Sequence, residues 1–124
     1  MSDAVSSPKT PRKAKPGRLL RRADFEAVYN QGRRYFSGLM TVFALRRQDG
    51  EAPRVGLTVS RALGGAVVRN RIKRRMRAAV TPNLAALEGP LDIVINPKKS
   101  VFSADFQEIQ REVQRTFAAA CKQK

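Results

Sequence analysis

With 124 residues, 42% of them apolar, the chain is sized for one domain with a modest core. Its 25 Lys and Arg against 10 Asp and Glu give a net charge of +15, which calls for an anionic partner, either nucleic acid or an anionic membrane. The absence of histidine excludes a His-ligated metal site, a Cys–His pair and a Ser–His–Asp triad. No apolar run approaches the ~18–20 residues of a spanning helix, so a membrane is not expected.

Residues 1–17 are rich in Ser, Pro, Ala, Lys and Arg and have no periodic apolar face. They read as a disordered basic tail, with no apolar stretch to make a signal peptide. The folded domain is assigned to residues 18–124. Asp24 is placed as the N-cap of a first helix, in which Phe25, Val28 and Tyr29 share one face and Gly32 marks the end. Tyr35-Phe36, Leu39 to Leu45 and Val55 to Val59 read as strands, with a polar loop from Gln48 to Pro53. These three strands are expected to form an antiparallel piece. Gly64-Gly65 precedes a second helix over 66–80, which Thr81-Pro82 ends. Asp92 to Ile95 is a short buried strand. Ser103 is placed as the cap of a last helix carrying Phe106, Ile109, Val113 and Phe117 at helical spacing. Cys121, the only cysteine, falls near the end of that helix. It permits no intrachain disulfide, fits a reduced cytoplasmic setting and reads as incidental. The predicted order is α-β-β-β-α-β-α, an α+β fold with a mixed sheet covered by helices on one side.

The second helix carries the strongest signal. From Leu57 to Leu87 there is no acidic residue, and 6 of the 9 residues from Arg69 to Met76-Arg77 are basic. At 100° per residue, Val68, Ile72, Met76 and Ala79 form an apolar stripe. Arg69, Lys73 and Arg77 form a ridge beside it, with Asn70 and Arg74 adjoining. Like charges at i, i+4 cost a few tenths of a kcal/mol each, so the pattern does not serve stability. Solvated faces normally mix both signs; this one reads as a surface for phosphates, which the planar fork of arginine engages in pairs. There is no zinc-ligand spacing, heptad array or RRM aromatic signature, no P-loop and no GxGxxG, so composition stops at nucleic-acid binding.

Arg54-Val-Gly-Leu-Thr-Val-Ser-Arg61, then Gly64, then Ala66-Val-Val-Arg-Asn-Arg-Ile-Lys-Arg74 resembles the signature of the bacterial ribonuclease P protein subunit. The resemblance runs from about Leu19 to Phe117 and includes the Asp-Phe-x-x-Val-aromatic start and the Asp-Ile-Val-Ile strand. It implies a fold like domain 2 of ribosomal protein S5, with a left-handed β-α-β crossover, which is rare. It also implies a catalytic RNA partner, one protein per RNA, that removes the 5′ leader of precursor tRNA with Mg²⁺. The metal would be held mainly by RNA and substrate, and no residue of this chain would be catalytic. By position, Arg69, Asn70, Arg71, Lys73, Arg74 and Arg77 would face the catalytic RNA. Phe25, Tyr29 and Phe43 match the aromatics of a leader cleft between the first helix and the sheet. Aromatics at i, i+4 are equally the mark of a core, so both readings stand at this point.

Two positions depart from the family pattern. Ala62 follows Arg61 where a second basic residue is common, leaving Arg61 as the basic contact to the leader. Asn96-Pro97 stands where Arg-Pro is common. A ribosomal or general RNA-binding protein, the alternative reading, would share the charge. A self-sufficient nuclease is disfavoured by the missing histidine and by Asp24, Asp49 and Asp92 falling on separate predicted elements.

Overall fold

The computed structural model of the chain describes residues 17–18, 21–48 and 52–122. Its strands are β1 (Gly17–Arg18), β2 (Arg33–Phe36), β3 (Met40–Arg46), β4 (Arg54–Leu57) and β5 (Leu91–Pro97). Its helices are α1 (Arg22–Gln31), α2 (Ala66–Val80) and α3 (Phe106–Cys121), with 3-10 turns at Arg61–Leu63, Thr81–Ala86 and Lys99–Phe102. The predicted order holds, preceded by the two-residue β1. Gly17 and Arg18 pair in parallel with Arg54 and Val55, so Gly17, assigned to the tail, already belongs to the sheet. The rest of the tail lies outside the described residues.

The five strands lie in the order β1-β4-β5-β3-β2. The expected three-stranded antiparallel piece is not formed. β2 and β3 make an antiparallel pair, but β5 sits between β3 and β4, antiparallel to β3 and parallel to β4. The reason lies in β5 itself. Leu91 to Ile95 are all buried, and a strand apolar on both faces belongs at the centre of a sheet.

That double burial also corrects the placement of the helices, which cover both faces. On one face, Met40, Val42 and Ala44 of β3 and Ile93 and Ile95 of β5 join Ile72, Met76 and Ala79 of α2 and Ile109, Val113, Phe117 and Ala120 of α3 in the main core. On the other, Val28 of α1 and Val94 of β5 form a small core bordered by Phe25, Phe43 and Leu45. Gly32 lets α1 pass close to the sheet, since a Cβ there would stand 2.5 Å from the Val28 carbonyl oxygen and 2.8 Å from that of Ala44.

Helix ends differ from expectation at two positions. The N-cap of α1 is Arg21, and Asp24 lies in the first turn, where its carboxylate meets Arg54 instead of the helix amides. The N-cap of α3 is Asp105, whose side chain accepts from the Gln107 amide at 3.1 Å. Ser103 instead closes the preceding 3-10 turn, donating its amide to the Ser100 carbonyl. Helix α2 spans the expected 66–80 and ends at Thr81-Pro82 as expected, after which the chain tightens into the 3-10 turn Thr81–Ala86. Gly64, at φ 141°, turns the chain into α2 in a conformation that side chains rarely adopt.

Candidate nucleic-acid interface

Helix α2 turns Ile72, Met76 and Ala79 fully into the core, as the stripe requires. The outward arc carries Asn70, Arg74 and Arg77, all exposed, with Arg69 and Lys73 half-buried at its flank. Arg69 is braced by its own helix entry: its Nε donates to the Gly64 carbonyl at 3.1 Å. The basic residues do not form one uniform face. At 100° per residue, Arg71 and Arg75 fall on the flank of the stripe opposite to Arg69. There they meet the turn before α3. Nε of Arg71 donates to the Phe102 carbonyl at 2.9 Å, and its guanidinium lies 5.1 Å from the Phe102 ring centroid. Arg75 donates to the carbonyls of Phe102 and Ala104. Arg75 is therefore a clasp between α2 and α3. Arg71, assigned to the RNA face by resemblance, is part of the same clasp while remaining exposed.

The opposite face of the sheet holds a second surface. An open cleft of ≈ 360 Å³ is lined by Arg22, Phe25, Tyr29 and Thr58. The Tyr29 ring meets Phe43 edge-on, with centroids 4.9 Å apart and planes at 88°. Its hydroxyl donates to Asn96 Oδ1 at 3.1 Å and approaches Thr58 Oγ1 at 3.5 Å. The aromatics are at once part of a small core and part of an open surface. Phe25 and Phe43 pack against Val28 and Val94, yet none of the three rings is fully buried, and Tyr29 is 37% exposed. Arg61 is exposed at the start of the 3-10 turn that follows β4. Sequence reasoning did not single out Arg22 or Thr58. It noted Asn96 only as a departure from Arg, whereas here its amide oxygen orients Tyr29.

Asp24 and Asp92 are not as separate as their elements imply. Asp92, 3% exposed, accepts from Arg54 Nε at 2.8 Å and Arg54 Nη2 at 2.7 Å. It also receives Arg47 Nη1 at 2.5 Å. Arg54 Nη1 reaches Asp24 at 3.3 Å. The Asp92 hydrogen bond, opposed by burial and reinforced by the charges of Asp92 and Asp24, raises the Arg54 guanidinium above its ordinary value. Both carboxylates serve to anchor α1 and β4 to β5. Among the described residues no group of three or more His, Cys, Asp or Glu could hold a metal ion, and no helix is long and apolar enough to cross a membrane.

A model of the family described as Ribonuclease P matches residues 14–121. The chain belongs to the ribonuclease P protein family. Relatives that carry the name ribonuclease P protein component include two from bacteria. One, from Oleidesulfovibrio alaskensis, is 50% identical over 88 residues, covering 69% of this chain and 70% of its own. The other, from Acidothermus cellulolyticus, is 38% identical over 99 residues, covering 79% and 82%. The solved RNase P protein of Staphylococcus aureus superposes with a TM-score of 0.72 at 25% identity, covering 87% of this chain and 96% of that one. As a ribonuclease P protein, the chain has a part in tRNA processing.

Proposed function

We propose that the chain binds the catalytic RNA of ribonuclease P through the outer arc of α2 and the 5′ leader of precursor tRNA through the cleft beside α1, in the cytoplasm, one protein per RNA. The observation that carries this reading is the pairing of two unlike surfaces on opposite faces of one sheet. Arg69, Asn70, Lys73, Arg74 and Arg77 offer charge and hydrogen-bond donors without an acidic neighbour in α2. Arg71 adds its guanidinium at the edge of that arc. Phosphate oxygens are the matching chemistry. Phe25, Tyr29 and Phe43 offer partly exposed rings, on which unpaired bases stack for ~1–3 kcal/mol each. Arg61 adds a cation beyond Thr58.

The chain's own residues do not supply the hydrolytic step. There is no histidine, and the buried Asp92 is held between Arg47 and Arg54. These residues do not fit a Mg²⁺ site, since the guanidinium groups already occupy the carboxylate oxygens. The catalytic centre and its Mg²⁺ accordingly belong to the RNA and substrate, and the protein's part is to hold both strands in register. Reconstitution tests this. The protein with its cognate RNA should cleave precursor tRNA at the mature 5′ end at Mg²⁺ concentrations too low for the RNA alone. Nuclease-free protein without RNA should not cleave under any metal. If ~6 phosphates are neutralised, the log–log salt slope of RNA binding should be about −4 to −5. A slope near zero, or cleavage by the protein alone, would overturn the reading.

A further inference from the structure

The strand register extends the cleft floor beyond the residues already named. Residues paired across neighbouring strands point to the same face of a sheet. On the α1 face one row therefore runs Gly56, Val94, Phe43, Arg34, and the next runs Thr41 and Phe36 beside Asn96. Thr58 continues that second row past the end of β4, its amide donating to the Ile95 carbonyl at 3.0 Å. Helix α1 packs over the first row through Val28. The second row leads away from Tyr29 toward the edge strand β2. At its end stands Phe36, 62% exposed, with the Arg34 guanidinium 5.7 Å from its ring centroid.

Phe36 is the diagonal cross-strand neighbour of Phe43, a spacing of ~7–8 Å that aromatic side chains can bridge. Phe43 in turn meets Tyr29 at 4.9 Å. Tyr29, Phe43 and Phe36 thus form a line of three rings across the sheet, flanked by hydrogen-bonding Thr58, Asn96 and Thr41. The far end of the line is fixed in place. Arg115 of α3 donates to the Phe36 carbonyl at 3.1 Å, and Lys98 donates to the Ser37 carbonyl at 2.8 Å. A ring with one guanidinium beside it, on a rigid strand and with most of its surface open, is suited to a base and its phosphate. A second protein strand is a poorer occupant, because Arg33 and Arg34 place two charges on this edge and would repel another copy.

We propose that Phe36 and Arg34 form a further subsite for the single-stranded leader, stacking a base that lies beyond those held at Tyr29 and Phe43. The subsite rests on the leader-binding reading of the cleft and extends it to the β2 edge. Its direct consequence is that affinity continues to rise with leader length after the Tyr29 position is filled.

The test uses the reconstituted holoenzyme and precursor tRNAs whose leaders increase one nucleotide at a time, with mature tRNA as reference. For the unaltered protein, affinity should rise in steps. Phe36→Ala should abolish the last step, about fivefold, the low end of the range for stacking on one ring. Phe36→Leu keeps an apolar side chain without a π-face and should lose the same step, whereas Phe36→Tyr should keep it. Arg34→Ala should reduce the step and its salt dependence. If Phe36→Ala matches the unaltered protein at every leader length while Tyr29→Ala still weakens leader binding, the subsite is refuted and the cleft stands. If neither substitution changes leader binding, the cleft reading falls and the subsite with it. A uniform loss that includes mature tRNA, or a change from dimer to monomer in the free protein, would assign Phe36 to assembly or to self-association and overturn the proposal.

Discussion

Helices α1 and α2 lie on opposite faces of one sheet and divide their side chains in opposite ways. Helix α2 buries Ile72, Met76 and Ala79 completely and gives its outer arc to charge. Helix α1 has a single fully buried residue, Val28, and its aromatics are half inside and half out. On α2, then, the residues proposed to bind are not those that fold the helix. On α1 the rings proposed to bind are also the ones that pack. The difference matches what each proposed partner requires: phosphates are reached by long flexible cations at the periphery, whereas a base has to be stacked on a ring that something rigid holds.

The thin core under α1 makes its anchoring the most vulnerable point of the comparison. Asp92→Ala would remove the buried carboxylate and leave the partly exposed Arg47 and Arg54 side by side without it. Breaking a fully buried pair costs about 3–5 kcal/mol; with both guanidinium groups partly open to water, a loss near the low end of that range is expected, and denaturant unfolding would measure it. Because Arg54 also holds Asp24 of α1, hydrogen exchange should speed up more in α1 than in α2. Equal acceleration in both helices would show that the ion cluster stabilises the sheet as a whole and does not single out α1. Raising pH should not release Arg54 within the folded range, since its guanidinium is held above its ordinary value.

Phe43→Ala tests the double duty of the cleft rings and should have an intermediate effect. A fully buried Phe costs ~3–5 kcal/mol on truncation to Ala, and Phe43 is only partly buried, so a stability loss below that range is expected. The proposed stacking would add a loss of ~1–3 kcal/mol in precursor tRNA binding with mature tRNA unaffected. A stability loss with an unchanged precursor-to-mature affinity ratio would make Phe43 a core residue alone.

How legible these features were depended on the kind of pattern. Helix α2 is read to its ends, because the i, i+4 stripe is regular and Gly64-Gly65 breaks the chain ahead of it. The motif around Arg69 placed the family. Sheet order was harder to read. β3 and β4 are consecutive and separated by a short polar loop, which imitates a hairpin, and the only sign that β5 lies between them is its apolar run from Leu91 to Ile95, interrupted by Asp92. Spacing alone does not explain an aspartate within that run; its partners are Arg47, just past β3, and Arg54 of β4. Phe25 and Tyr29 at i, i+4 have the same spacing in a core as in a cleft, so no periodicity separates the two. Phe36 gains its meaning only from the register that sets it diagonally to Phe43.

The smallest expected effects divide the basic residues of α2 themselves. Arg74 is exposed on the outer arc, so Arg74→Ala should change stability by no more than a few tenths of a kcal/mol, and in the favourable direction if it relieves repulsion. It should weaken assembly with the catalytic RNA and lower the salt slope by about 1, equally for substrates with and without a leader. Arg71→Ala should behave differently. It removes the hydrogen bond to the Phe102 carbonyl and the stack on the Phe102 ring. An exposed cation–π contact contributes ~0.5–1 kcal/mol, and a hydrogen bond to a carbonyl a similar amount, so about 1–2 kcal/mol of stability should be lost. Arg71→Lys keeps the charge but not the planar fork, and should restore much of the salt slope while leaving the stability loss in place. Unfolding free energies and salt titrations of the three variants therefore sort this face into residues that hold α2 to α3 and residues that meet RNA. If Arg71→Ala is as neutral in stability as Arg74→Ala, Arg75 alone supplies the clasp, and Arg71 belongs with the cations of the outer arc.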